Sequence, residues 1–430
     1  MEDSPLASRQ AALDILTACL DKGQPLDDAL ARHAAFDGGD ARALAPRDRA
    51  FVRLLLATTL RRLGEIDEVL GLMVERPLTG PNAAGREILR LGAAQLLFLG
   101  TPAHAAVDTA VRLIERAGLP HLKGLTNAVL RRVAREGVTL LGDRDPARLN
   151  TPHWLWQSWT ASYGEETTRA VAAAHLIEAP LDLTPRSDAM FWAGRLEGEL
   201  LPTGTIRRTA GGHVAELPGF AEGAWWVQDA AAALPVRLLG DVSGKRVADL
   251  CAAPGGKTMQ LCTAGARVTA IDISNRRMTR LGENLVRMGF AAELVTADAA
   301  KWAPPERFDF VLLDAPCSGT GTLRRHPDIA WLKDVEDVSR LTLTQDRLLT
   351  HAVDLLKPGG LLVYAVCSLQ EDEGPARIAA LTGRRADVRR VDITAAELPG
   401  LEAAVTAKGD VRTLPSMGVD GFYIARLTVG

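Results

Sequence analysis

Five short apolar runs constrain this chain more than any other feature. They end at Leu250, Ile273, Ala297, Leu313 and Val366, and helix-length segments separate most of them. Parallel strands need long crossovers and are buried on both faces, so this rhythm predicts a parallel sheet covered by helices. The first run opens into a turn of small residues, Cys251-Ala252-Ala253-Pro254-Gly255-Gly256-Lys257. Paired glycines let a ligand approach the backbone, and the helix behind them presents unpaired N–H groups. In an open parallel sheet, ligands bind beyond the carboxyl ends of the strands. The turn is therefore the expected contact point.

The next strands also end in acids. Asp272 closes the second run, about 20 residues past the glycine turn, where a carboxylate holds ribose hydroxyls. Asp298 follows the third run and is placed to accept from an adenine amino group, and Asp314 closes the fourth. A lone strand-end aspartate is commonly a helix cap; an acid in successive strand-end positions is not explained that way. The turn has neither GxGxxG nor GxxxxGK[ST] spacing, which weakens a phosphate-binding reading. A sugar acid, a base acid and no phosphate clamp suit S-adenosylmethionine better than NAD or ATP.

Two cysteines share the same edge. Cys317 lies in Asp314-Ala-Pro-Cys-Ser-Gly-Thr-Gly321, and Cys367 ends the fifth run in Tyr364-Ala-Val-Cys-Ser368. A buried cysteine is usually an inert small hydrophobe, but two at neighbouring strand ends point to chemistry. There are no CxxC pairs or adjacent histidines, so no metal site is expected. Carbon 5 of cytosine is too weak a nucleophile to take a methyl group from a sulfonium. Thiolate addition at carbon 6 makes the ring an enamine and activates carbon 5; loss of the carbon 5 proton later expels the thiol. One cysteine with a lowered pKa would attack, and a second group would assist elimination. Asp314 is positioned to orient the base through its N3 and exocyclic amine. Strand position alone does not choose between the two thiols.

The rest of the 430-residue chain is too long for one core, so two or three domains are expected. Residues 1–145 read as all-α. Val107, Ala110, Val111 and Ile114 form one helical stripe, Leu125, Val129 and Val133 form another, and Gly80-Pro81, Gly100-Thr-Pro102 and Gly118-Leu-Pro120 act as stops. Residues 146–235 are mixed, with a helix carrying Trp154, Trp156 and Trp159, a strand at 181–184 and a short helix near Met190. Three tryptophans so close could stack on bases, but a packing cluster is the better reading. Residues 236–430 carry the sheet. A net charge of −3 argues against nucleic-acid binding through gross charge alone, although arginine, the better phosphate and base ligand, outnumbers lysine. Five widely spaced cysteines make no disulfide framework, and no apolar stretch reaches the roughly 18 residues of a membrane span. A cytoplasmic protein with reduced thiols and no membrane association is expected.

DLCAAPGGKT, IDIS, DAPCSGTG followed by RRHPDI, VCS, and a terminal Arg412-Thr-Leu-Pro with Asp420-Gly-Phe-Tyr423 resemble the RNA cytosine-5 methyltransferases of the Sun/Nop type. The helical part, with Leu125-Thr-Asn-Ala-Val-Leu-Arg-Arg132, is similar to the NusB-like domain that precedes this unit in the bacterial ribosomal RNA enzymes called Sun or RsmB. The resemblance implies three parts: an all-α NusB-like RNA-binding domain, a small α/β subdomain like an RNA-recognition motif, and a Rossmann-like α/β methyltransferase domain. It implies S-adenosylmethionine bound by Cys251, Ala252, Ala253, Pro254, Gly255, Gly256, Lys257, Asp272, Arg277, Asp298 and Asp314. It assigns the nucleophile to Cys367 and product release to Cys317, whereas DNA cytosine-5 methyltransferases use a Pro-Cys nucleophile, which would favour Cys317. Val366 stands where that family commonly has Thr or Ser. The implied partner is RNA, most directly small-subunit ribosomal RNA, acted on by a monomer; transfer RNA as substrate, or a non-enzymatic assembly factor, are the competing readings.

Overall fold

A computed structural model describes residues 4–36, 43–209 and 214–430. The chain divides into two compact units: Met1–Ile177 with Leu323–Asp334, and Glu178–Thr322 with Val335–Gly430.

The first unit is helical. Helices Ser4–Leu20, Pro46–Arg61, Ala83–Leu97, Ala103–Arg116 and Lys123–Leu141 enclose a core that includes Leu16, Leu55, Leu56, Ile88, Ile114 and Leu130. The stripe predicted around residues 104–115 is buried as expected at Val107, Ala110 and Ile114. Close helix packing needs small residues: a Cβ on Gly92 would sit 2.7 Å from Leu130, and one on Gly137 2.7 Å from Leu97.

Two segments join this unit against the sequence reading. Helices His153–Tyr163 and Glu165–His175 belong to it, although the pattern put residues from 146 onward in a separate middle segment. The reason is nonlocal: the Glu65 N–H donates to Asn150 Oδ1 at 3.1 Å and Asn150 Nδ2 to the Glu65 carboxylate at 2.7 Å. Within the segment Trp159 is fully buried, its ring 5.4 Å from that of His175, while Trp156 lies under Arg148 and Arg169 at 5.2 and 5.4 Å. The second segment is Leu323–Asp334, which carries RRHPDI. Arg61 donates to the Arg324 carbonyl at 2.9 Å, Trp331 to the Leu60 carbonyl at 2.8 Å, and the Leu26 N–H to the Asp328 carboxylate at 3.0 Å.

The second unit holds two sheets. The smaller has strands β1 (Leu181–Pro185), β2 (Glu199–Leu200), β3 (Ile206–Arg208) and β4 (Trp225–Val227), all antiparallel, in the order β2-β3-β1-β4. Helix Ala189–Arg195 packs on it through Ala193, against Leu183, Ile206 and Trp225. The larger sheet contains β5 (Arg246–Leu250), β6 (Arg267–Asp272), β7 (Glu293–Thr296), β8 (Phe308–Asp314), β9 (Leu356–Val366), β10 (Val388–Arg390), β11 (Val411–Arg412) and β12 (Tyr423–Val429). Its order is β10-β12-β9-β8-β5-β6-β7, with β11 beside β12. The five predicted strands are mutually parallel, and β12 adds antiparallel to β9. Consecutive residues of β5 point to opposite faces and both are buried: Ala248 and Leu250 join Leu348, Leu349 and Ile378, while Val247 joins Leu234 and Leu261. The Gly359-Gly360 pair lies inside β9, where the register with β8 slips between Phe308 and Phe310 and Gly359 takes φ +74°.

His175 supplies a test of the helical unit. Neither ring nitrogen has a partner among the described residues, and burial, aided by the nearby Arg324 guanidinium, pushes its pKa down to about 3. Between its ordinary value and about 3, the unfolded chain binds a proton that the folded unit excludes, so stability falls as pH drops below about 6.5. The expected loss by pH 5 is about 2 kcal/mol. His175→Phe should flatten that slope in denaturant titrations followed by tryptophan fluorescence; an unchanged slope would exclude His175 as its source.

Candidate active site

At the carboxyl end of β5 the chain turns sharply. Cys251 takes φ +61°, the Ala253–Pro254 peptide is cis, and Gly255 takes φ +105° before helix Gly256–Thr263 begins. A side chain at Gly255 would be strained by its φ and would place a Cβ 2.9 Å from Leu281. Gly256 is different: a Cβ there would meet only Gln228, at 3.5 Å, which is ordinary contact. The protein itself does not need glycine at 256.

Asp249, the first acid of the motif, faces inward. It is fully buried and accepts from the Thr258 hydroxyl at 2.6 Å. Burial pushes its pKa up to about 7, with the Thr258 hydrogen bond and the Lys257 charge pulling the other way. Its structural work is to tie the strand to the helix across the turn. Asp272, at the end of β6, is 2% exposed and accepts from the Ala253 N–H at 3.3 Å and the Ser274 N–H at 2.9 Å. Arg277 lies 3.5 Å from that carboxylate and also donates to the Ala253 carbonyl. Asp272 and Arg277 therefore grip the middle of the turn. Asp298 lies two residues beyond β7, accepts from the Ala300 N–H at 3.0 Å and pairs with Lys301 at 3.5 Å.

Asp314 ends β8 and receives the Lys257 ammonium at 2.7 Å. Lys257 is buried beneath the Phe422 ring, 5.4 Å from its centroid. The only lysine of the turn is thus committed to an acid. Cys251 stays a neutral thiol, its pKa pushed up to about 12 by burial and then by Asp272 and Asp314.

The two strand-end cysteines meet. Cys317 Sγ and Cys367 Sγ are 3.3 Å apart, and the Gly321 N–H donates to the Cys367 carbonyl at 3.0 Å. The Cys317 thiol is held well above its ordinary pKa by the Cys367 contact, by burial, and by the charges of Cys367 and Glu373. Cys317 therefore remains a protonated thiol. The terminal Asp420-Gly-Phe segment closes against the Cys317 loop: the Gly421 N–H donates to the Gly321 carbonyl at 2.8 Å, and a Cβ on Gly321 would collide with the Gly421 carbonyl.

Several groups here escaped the sequence reading. Phe422 and Arg412 were noticed only as parts of a motif; Arg412 donates to the Ser368 carbonyl at 2.5 Å. Gln345 and Glu373 carried no signal beyond being polar residues in amphipathic segments, yet both are fully buried behind the thiols.

A family model described as 16S rRNA methyltransferase RsmB/F matches residues 236–428, and the NusB family model matches residues 6–135. The chain is 34% identical over 408 residues to ribosomal RNA small subunit methyltransferase B of Erwinia tasmaniensis, covering 90% of this chain and 92% of that protein. Against the protein of the same name from Vibrio cholerae it is 35% identical over 445 residues, covering 98% and 97%. This chain belongs to the RsmB/F methyltransferase family. As a member of the RsmB/F family it uses S-adenosylmethionine as cofactor. Its fold is that of the solved protein PH0851, with a TM-score of 0.76 at 22% identity over 99% of this chain and 98% of that one.

The two glycines make separable predictions. Gly256→Ala should leave the unfolding midpoint unchanged, because the site has room for the methyl group. It should still weaken S-adenosylmethionine binding about tenfold by calorimetry, if the cofactor approaches that backbone. Full affinity in Gly256→Ala would remove Gly256 from the binding surface.

Proposed function

We propose that this protein methylates carbon 5 of a cytosine in small-subunit ribosomal RNA through a covalent cysteine adduct. The observation that carries the reading is the pair of thiols in contact at the ends of β8 and β9, one of them held protonated. A single structural cysteine would need no second thiol, and a disulfide framework would not place both beside a cofactor turn.

Cofactor fit rests on the residues of the turn. Lys257 is engaged by Asp314, so the turn offers glycine backbone and carboxylates but no free cation for a phosphate. That suits a nucleoside sulfonium. Residues 251–257, with Asp272, Arg277, Asp298 and Asp314, would hold it. When bound, S-adenosylmethionine supplies an electrophilic methyl carbon.

The remaining work falls to this chain. Cys367 attacks carbon 6 as the thiolate, forming the S–C6 bond and moving the ring's electron pair to carbon 5. The Cys317 S–H, 3.3 Å away, stabilises the developing thiolate before attack. After carbon 5 is methylated, its proton is lost to a base, the S–C6 bond breaks, and the electron pair returns to Cys367. Cys317 assists that release. Asp314, its carboxylate fixed by Lys257, orients the base by accepting from the exocyclic amine. The target cytosine must leave its stack to reach two half-buried sulfurs.

The helical unit is proposed to hold the RNA. Arg131 and Arg135 are exposed on helix Lys123–Leu141 within the NusB-matched region. The reading takes the protein as a monomer acting in the cytoplasm, where ribosomal RNA is.

Cys317→Ser should accumulate a covalent protein–RNA complex on denaturing gels, whereas Cys367→Ser should give none. A complex formed by the Cys367 variant would reverse the two roles. Bisulfite mapping of ribosomal RNA from cells lacking the protein should reveal one lost 5-methylcytosine. Replacing Arg131 and Arg135 together by alanine should reduce the salt dependence of RNA binding, lowering the log–log slope by about 1 to 2; an unchanged slope would exclude this face.

A further inference from the structure

Glu373, six residues after Cys367, is fully buried. A carboxylate in that position is costly unless donors surround it. Four do. The Ser318 N–H and Gln345 Nε2 donate to Oε1 at 2.8 and 3.0 Å, and the Ser318 and Ser368 hydroxyls each donate to Oε2 at 2.5 Å. Ser318 follows Cys317 and Ser368 follows Cys367. One side chain therefore holds the residue next to each reacting sulfur.

The surroundings lock this arrangement. Gln345 also donates to the Pro316 carbonyl at 2.9 Å, on the other side of Cys317. Thr320 Oγ1 lies 3.3 Å from both serine hydroxyls and accepts from the Leu369 N–H at 3.0 Å. The Glu373 carbonyl accepts from the Tyr364 hydroxyl at 2.6 Å, which fastens the hub to β9 itself.

We propose that Glu373 is the positioning residue of the thiol pair: its carboxylate clamps the Cys317 loop to the Cys367 turn and thereby sets the contact between the two sulfurs. The inference rests on the two-cysteine reading above. Glu373 touches neither sulfur through a hydrogen bond and acts through Ser318 and Ser368. Its charge has a second effect, being one of the causes that keep the Cys317 thiol protonated. A buried acid serving stability alone would not be expected to gather its donors from the residues adjoining both thiols.

The test reads the thiols directly and needs no RNA. Phenylarsine oxide bridges two thiols only when they are close, forming two As–S bonds and releasing water. Capture of Cys317 and Cys367 is followed by peptide mass spectrometry, alongside the pH profile of Cys317 alkylation. Glu373→Gln turns one acceptor into an N–H donor facing other donors. It should slow bridging about tenfold or more, because small misplacements of paired groups are costly. It should also move the Cys317 alkylation midpoint to lower pH through loss of a nearby negative charge. Turnover should fall while S-adenosylmethionine affinity stays within about twofold, a kcat effect without a binding effect. Glu373→Asp should restore the alkylation midpoint but not the bridging rate, since it keeps the charge and loses the reach. Wild-type bridging and a wild-type alkylation profile in Glu373→Gln would overturn the proposal. If that variant fails to fold or to bind cofactor, Ser318→Ala and Ser368→Ala decide, and unaltered bridging in both would overturn it equally. Failure of the cytosine-5 reading would show instead as absent RNA adducts with bridging still dependent on Glu373.

Discussion

The parallel pairing of β8 with β9 is the constraint on which the site depends. Asp314 and Ala365 are register partners in that ladder, so the two chains leave the sheet side by side at the same end. Cys317 and Cys367 can then meet even though 50 positions separate them in sequence. Pairing of β8 with β5 brings the turn of residues 251–257 to the same edge, and the Lys257–Asp314 ion pair joins turn to strand. Each strand is buried on both faces, so a slip of register would expose apolar side chains and is strongly disfavoured.

A second theme is how buried acids are satisfied. Asp249, Asp272 and Glu373 lie almost wholly out of water, and each is met by hydroxyls or backbone N–H groups. Such donors neutralise little charge but fix direction. The acids consequently work as struts between loops, while Asp314 and Asp298 are only partly buried. Cys251, the first residue of the small-residue turn, is likewise kept a neutral thiol by burial and the neighbouring acids.

Much of this was legible in residue order. The alternation of apolar runs and helical segments marked five strands close to their observed ends, and the small-residue turn after Leu250 was recognisable from glycine spacing. Helical stripes such as Val107, Ala110 and Ile114 named their own buried face. What escaped was nonlocal. The antiparallel return of β12 alongside β9 has no local signature, nor does the incorporation of Leu323–Asp334 into the helical unit, where Leu26 meets Asp328 across 302 positions. Helices 153–175 read as part of a mixed segment because nothing nearby shows that Asn150 will bond Glu65, 85 positions away.

The sequence alone determined the strand ends, the position of the turn and the presence of two cysteines at neighbouring positions of a sheet, because backbone sterics and hydrophobic periodicity act over a few residues. Only tertiary structure decided that the sulfurs touch, that Lys257 is spent on Asp314, and that Glu373 lies behind both thiols. Those outcomes depend on which distant groups share a low-dielectric interior, where an unpaired charge or donor is penalised most heavily and partners are chosen by position in space rather than in the chain.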